Sequence, residues 1–187
     1  MLRTKRLVLR PLRAGDEGWI TRHIADPEVH RWLTSVPHPY AAADGAAFVE
    51  RFAGRPGTLA LVAEDVPCGV LTIEHASRLA DDRPAAWELG YWLRRDHWGR
   101  GLMTEAAEAA IRHHRAEHGA TLHSGWITGN AGSARVLAKL GFHGPTHSEE
   151  RHAFFHGRPV TVERVILPAD APLPPQHDPA DAHPAHP

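Results

Sequence analysis

Trp87-Glu88-Leu89-Gly90-Tyr91-Trp92-Leu93 passes through Arg94-Arg95-Asp96-His97 into Trp98-Gly99-Arg100-Gly101, and Leu102-Met103-Thr104-Glu105-Ala106 follows at once. The first segment is aromatic and alternating, the pattern of a strand. The last opens an Ala-rich stretch that predicts a helix from Gly101 to about Glu117. A helix start presents unpaired N–H groups and roughly half a positive charge. Glycines before it let the backbone approach an anion closely. The string therefore predicts a diphosphate cradle over Trp98–Met103, with Arg100, and Arg94 or Arg95, as reinforcing cations. A Walker loop would need Gly-x-x-x-x-Gly-Lys-Ser/Thr, which is absent. A dinucleotide fingerprint would need glycine at Thr104 and an acidic residue ending the next strand, which instead ends Trp126-Ile127-Thr128-Gly129. A tight strand-to-helix turn without a ligand stays open on the local string alone.

A second helix start follows the next strand, Thr121 to Ile127. Asn130 suits an N-cap for a helix from Ala131 to Leu140, and Gly141 suits its left-handed C-cap. Ser133, Val136, Leu137 and Leu140 share the i, i+3, i+4, i+7 face. A hydroxyl on an apolar face needs a partner, either a ligand or its own helix backbone.

Outward from these strings, Arg6–Arg13 reads as a first strand, with Pro11 suggesting an edge. Asp16 reads as the N-cap of a helix through about Ala25, and Asp26-Pro27 as the start of a short second one. Ala41–Ala53 reads as a third helix despite Gly45. Thr58–Glu64 and Cys68–Glu74 read as strands around the turn Asp65-Val66-Pro67. His75–Pro84 reads as a polar loop. His152–Phe155 and Val160–Leu167 read as a closing hairpin around His156-Gly157-Arg158-Pro159. Residues 1–167 are expected to form one domain, and 168–187, rich in Pro, Ala and His, a flexible tail unless something holds it. This order of elements predicts an α+β (mixed α/β) fold, a mixed sheet with helices on both faces.

With 187 residues, 42% hydrophobic, the chain can bury one sizeable core. A net charge of −1 gives no basic field for nucleic acid or membrane. No leader or ~20-residue apolar span is legible. The single Cys68 reads as a small core residue and fits a reducing, cytoplasmic setting. His114 and His118 have metal-compatible spacing, but no motif supplies a third ligand, so no metal is expected. A metal role for tail residues His177, His183 and His186 has little support.

Taken together, Trp87–Leu93, Trp98-Gly99-Arg100-Gly101, Thr104-Glu105-Ala106 and Asn130-x-x-Ser133-x-x-Val136-Leu137-x-Lys139-Leu140-Gly141-Phe142 resemble the GNAT superfamily of N-acetyltransferases. Leu7–Leu12 and Asp26-Pro27-Glu28-Val29 are most similar to the branch that acetylates ribosomal-protein N-terminal alanine or serine. The resemblance implies a mostly antiparallel mixed sheet splayed in the middle, with acetyl-CoA in the split. It implies pantetheine contacts at Tyr91, Trp92, Leu93 and Asn130. It also implies a diphosphate loop at Trp98, Gly99, Arg100, Gly101, Leu102, Met103 and Thr104, and Ser133 near the thioester sulfur as a proton donor. Asp96 departs from the Gln or Arg that often begins the loop motif.

Transfer to an amine needs the neutral form. An α-amine of pKa ~8 supplies it more readily than a lysine near ~10.4. Glu88 is the candidate base, with pairing to an arginine as its other reading, and Glu149 and Glu150 are rivals. Backbone N–H groups near Leu89–Tyr91 are expected at the oxyanion. Trp32, Tyr40 and Trp92 are candidate acceptor-pocket residues. The expected acceptor is a peptide N-terminus or a small amine, and the expected state a monomer or homodimer. The alternative function is a non-catalytic acyl-CoA sensor on the same fold.

Overall fold

Side chains alternate along the central strands, so each strand feeds two cores, one on either face of a single sheet. The computed structural model describes residues 1–75 and 86–173. The strands are β1 (Leu2–Arg3), β2 (Leu7–Pro11), β3 (Thr58–Ala63), β4 (Val66–His75), β5 (Trp87–Leu93), β6 (Leu122–Ile127), β7 (His143–Ala153) and β8 (Arg158–Leu167). The helices are α1 (Glu17–Ile24), α2 (Pro27–His30), α3 (Ala42–Phe52), α4 (Leu102–His118) and α5 (Ala131–Lys139). They surround an 8-stranded sheet of order β1-β2-β3-β4-β5-β6-β8-β7. Every neighbouring pair is antiparallel except the central β5–β6, which is parallel.

Leu59, Leu61, Leu71, Ile73, Leu89 and Leu93 pack beneath α4 and α5, against Leu102, Ala106, Ile111, Leu137 and Leu140. Ala60, Val70 and Trp92 face the other way, against Ile20 and Ile24 of α1, Val29 of α2, and Val49 and Phe52 of α3. Cys68 is fully buried, its thiol donating to the Leu61 carbonyl at 3.4 Å, and burial pushes its pKa up to about 11.

Several local readings change in three dimensions. Pro11 lies on an interior strand, not an edge. Pro11 is paired with Leu59 of β3 but lies beyond the two-residue ladder to β1, so on that side no bond calls for its missing N–H. The Asp16 carboxylate does not cap α1; it is drawn instead to Arg10, the Arg13 N–H and the Trp19 indole. Phe154–His156 forms a 3-10 turn, and β7 instead reaches back to His143 because β8 offers it a long partner. His114 and His118 pack their rings on Trp87 at 4.5 and 4.6 Å. Among the described residues no group of three or more His, Cys, Asp or Glu is placed to hold a metal ion. No described helix is long and apolar enough to cross a membrane. The start of the tail is held: Arg115 of α4 donates to the carbonyls of Pro168 and Ala171 at 2.7 and 2.6 Å. Of the loop expected at His75–Pro84, only His75 lies within the described residues, and tail residues 174–187 lie outside them.

Gly45 interrupts helix propensity for a packing reason. A Cβ there would collide with the Thr21 hydroxyl and sit 3.1 Å from the Glu17 carbonyl, where α3 crosses α1. Gly45→Ala is expected to destabilise the fold by about 1–2 kcal/mol. Overpacking, at about 1–3 kcal/mol, outweighs the roughly 1 kcal/mol gained in propensity. Urea unfolding measures the change; an increase in stability would show that α1 and α3 do not meet so closely.

Candidate active site

The splay between β5 and β6 makes the site. The two strands pair only at Trp87–Leu122 and Glu88–His123, and then diverge. The Ser124 hydroxyl, donating to the Leu89 carbonyl at 2.9 Å, bridges the point of divergence. Beyond it opens a cleft of about 600 Å³. Its walls are the β5 edge at Leu89–Leu93, the start of α4, the start of α5, and Glu28, Val29, Trp32 and Leu33 around α2.

The α4 wall is built by backbone. Gly99 and Gly101 adopt φ +73° and +72°, a left-handed region open to glycine at little cost. Two such turns let the chain enter the helix while its amides stay uncommitted. From Gly99 to Thr104, no N–H takes a partner among the described residues; the first helical bond is Glu105 N–H to the Gly101 carbonyl at 3.1 Å. This run of donors lies at the positive end of a 17-residue helix. Asp96 does not oppose it. Arg94 Nη2 binds its carboxylate at 2.6 Å and His97 Nδ1 lies 2.8 Å from it. The His97 bond, followed by the Arg94 bond, brings its pKa down to about 2. The Trp98 indole donates to the Leu93 carbonyl at 2.7 Å, tying the loop to the end of β5.

Facing that wall, the Asn130 side chain accepts from the Ser133 N–H at 3.1 Å and caps α5. The Ser133 hydroxyl lies 2.9 Å from the Tyr91 hydroxyl, so a side chain of β5 and one of α5 join across the cleft. Burial raises the Tyr91 phenol pKa, with the Ser133 bond working against it, so the pair keeps its protons at neutral pH.

Tyr91, Trp92, Leu93, Trp98, Gly99, Gly101, Leu102, Met103, Thr104, Asn130 and Ser133 thus border one cleft. Arg100 does not. Its guanidinium reaches Glu64 at 3.1 Å, away from the amide run. Arg94, committed to Asp96, is likewise turned from it. Glu88 is also off the cleft wall: its Oε1 accepts from Arg164 Nη1 at 2.9 Å, with both side chains largely buried. Glu149 lies 3.6 Å from the same arginine and 2.8 Å from Arg151. Burial raises its pKa, but the Arg151 bond and the charges of Arg151, Arg164 and His147 together hold it below the usual carboxylate range. Glu150 is exposed on β7. Trp32 and Trp92 line the cleft, whereas Tyr40 packs edge-on to His30 at 6.5 Å. Arg135 and Lys139 of α5 also line it, cations that the apolar face of α5 had hidden from a periodicity reading.

The donor set fits a long ligand with an anionic end: free amides for a diphosphate, then an open strand edge, then a hydroxyl pair. The family model for the acetyltransferase (GNAT) domain matches residues 6–143, and the chain belongs to that family. Over 58 residues it is 43% identical to a protein described as a probable N-acetyltransferase, YjcK of Bacillus subtilis; the match spans 29% of this chain and 31% of that one. The fold is that of the ribosomal-protein-S5-alanine acetyltransferase of Vibrio fischeri, with TM-score 0.70 and 18% identity over 90% of this chain and 96% of that one. It is also that of Mycobacterium smegmatis RimJ in complex with CoA-disulfide, with TM-score 0.69 and 20% identity over 86% and 81%.

Proposed function

We propose that this chain transfers an acetyl group from acetyl-CoA to a primary amine, and that the amine is an α-amine of a peptide N-terminus or a small amine of similar pKa. The observation that carries this reading is the uncommitted amide run Gly99–Thr104, in one cleft with the Tyr91–Ser133 hydroxyl pair. Bound acetyl-CoA would supply an activated acetyl thioester. The amides of Gly99–Thr104 hold the diphosphate, and the edge of β5 at Tyr91–Leu93 aligns the pantetheine as an added strand would. Ser133, backed by Tyr91, holds a proton for the departing sulfur.

The amine is read as entering from the α2 side, past Glu28 and Trp32. Gly90 and Gly125 line that side of the splay without side chains. Glu88 and Glu149 are held by arginines, Glu88 by Arg164 at 2.9 Å, and neither lines the cleft. The acceptor therefore arrives already neutral, which favours a pKa near ~8 over one near ~10.4. The Vibrio fischeri neighbour, named for a ribosomal-protein alanine, is in keeping with this choice.

The test is thiol release from acetyl-CoA with a panel of peptide N-termini and small amines, read against pH. Turnover should rise with pH as the acceptor deprotonates. Glu88→Gln should cost less than about tenfold in kcat, whereas a lost general base costs about 10²–10⁴. A loss in that larger range would restore Glu88 as the base. Tight CoA binding without turnover on any amine would instead identify an acyl-CoA sensor.

A further inference from the structure

The amide run at the start of α4 points into the cleft only if its peptide planes are held. Arg100–Gly101 is the critical unit, since its plane turns about the φ of Gly101, which a glycine can change at little cost. A planar trans peptide directs its C=O and its N–H to opposite sides. The Arg100 carbonyl accepts from Arg6 Nη1 at 2.8 Å. Arg6 comes from the turn between β1 and β2 and is absent from the cleft wall, so it grips the loop from behind. The Gly101 N–H, on the far side of the same plane, is then turned to the cleft and has no partner among the described residues.

Arg6 is itself fixed by Glu105. Its Nε donates to Oε2 at 2.7 Å, and its backbone N–H to Oε1 at 2.9 Å. The Thr4 hydroxyl completes the carboxylate at 2.6 Å. This arrangement also answers an electrostatic problem. Glu105 sits in the first turn of α4, where a carboxylate favours the helix but repels a nearby diphosphate. The Arg6 guanidinium neutralises that charge on the side away from the cleft. Lysine could not do both tasks, because one ammonium lacks the planar fork that meets a carboxylate and a carbonyl together.

We propose that Arg6, anchored by Glu105 and Thr4, is a positioning residue for the diphosphate: it fixes the Arg100–Gly101 peptide so that the amide cradle faces the cleft. The inference rests on the acetyl-CoA reading above. It assigns a ligand-orienting role to a residue outside the glycine loop, at the first position of the matched domain.

The test compares CoA with pantetheine, which lacks the diphosphate, by quenching of cleft tryptophan fluorescence, in the wild-type chain and in Arg6→Lys and Arg6→Gln. Both variants should lose about ten- to a hundredfold in CoA affinity, the scale of a charged hydrogen bond. Pantetheine affinity should stay within about twofold, which also reports that the cleft is folded. Equal losses for both ligands, or no loss for CoA, would overturn the positioning role while leaving the CoA reading intact. A wild-type chain that holds CoA no more tightly than pantetheine would overturn the CoA reading, and this inference with it.

Discussion

Ser133→Ala should lower kcat for thiol release by about a hundredfold, with KM for acetyl-CoA changing only a few-fold. The hydroxyl sits on the first turn of α5, half-buried, 2.9 Å from the Tyr91 hydroxyl. Its backbone N–H is already satisfied by Asn130, so the substitution leaves the cap intact. What is lost is a proton held where a thiolate departs. Tyr91→Phe keeps the Ser133 hydroxyl and removes its neighbour, so its effect should be smaller, about tenfold. The double variant should be no slower than Ser133→Ala alone, since the two groups act as a unit. Steady-state assays on the four proteins decide the matter. If Ser133→Ala keeps kcat within twofold, the pair does not supply the proton.

Arg10→Leu should destabilise the fold by on the order of 3 kcal/mol, a large share of a typical 5–15 kcal/mol. Asp16 is 3% exposed, and Arg10 holds it through two bonds of 2.7 and 2.8 Å. Removing the guanidinium strands a buried charge that the Arg13 N–H and the Trp19 indole alone must satisfy. Burial by itself raises the Asp16 pKa; the Arg10 bond, then the Trp19 and Arg13 bonds, overcome it and keep the carboxyl below its ordinary range. The sign follows from linkage. A depressed folded-state pKa contributes stability above the unfolded value near ~3.9 and loses it as pH falls through the folded value. The gap between wild type and Arg10→Leu should therefore be full at pH 7 and close in acid. Thermal or urea unfolding from pH 7 to pH 2 measures it. A gap that stays constant with pH would mean that Asp16 is not the group being stranded.

Several site features were legible from local chemistry. The glycine-punctuated strand-to-helix junction at Trp87–Ala106 predicted a sharp entry into a helix, and Gly99 and Gly101 do adopt the left-handed backbone that only glycine takes cheaply. Asn130 and Gly141 behave at the two ends of α5 as their types demand. The fate of the charged residues was less legible. Asp16 has the credentials of an N-cap, yet a buried arginine from β2 attracts its carboxylate more strongly. Arg100 stands in the loop but reaches to Glu64 on the β3–β4 turn.

Most of the element order, the alternation of the strands and the helix start where backbone amides lack partners follow from local sequence, whereas β1 and the length of β7 do not. The former depend on residues a few positions apart, and their physics is local. Which charge meets which is set by the packed fold, because these ion pairs join segments distant in the chain: Glu88 with Arg164, Arg6 with Glu105. It also joined Tyr91 to Ser133, since the splay after Glu88 is what brings β5 and α5 to opposite walls of one cleft.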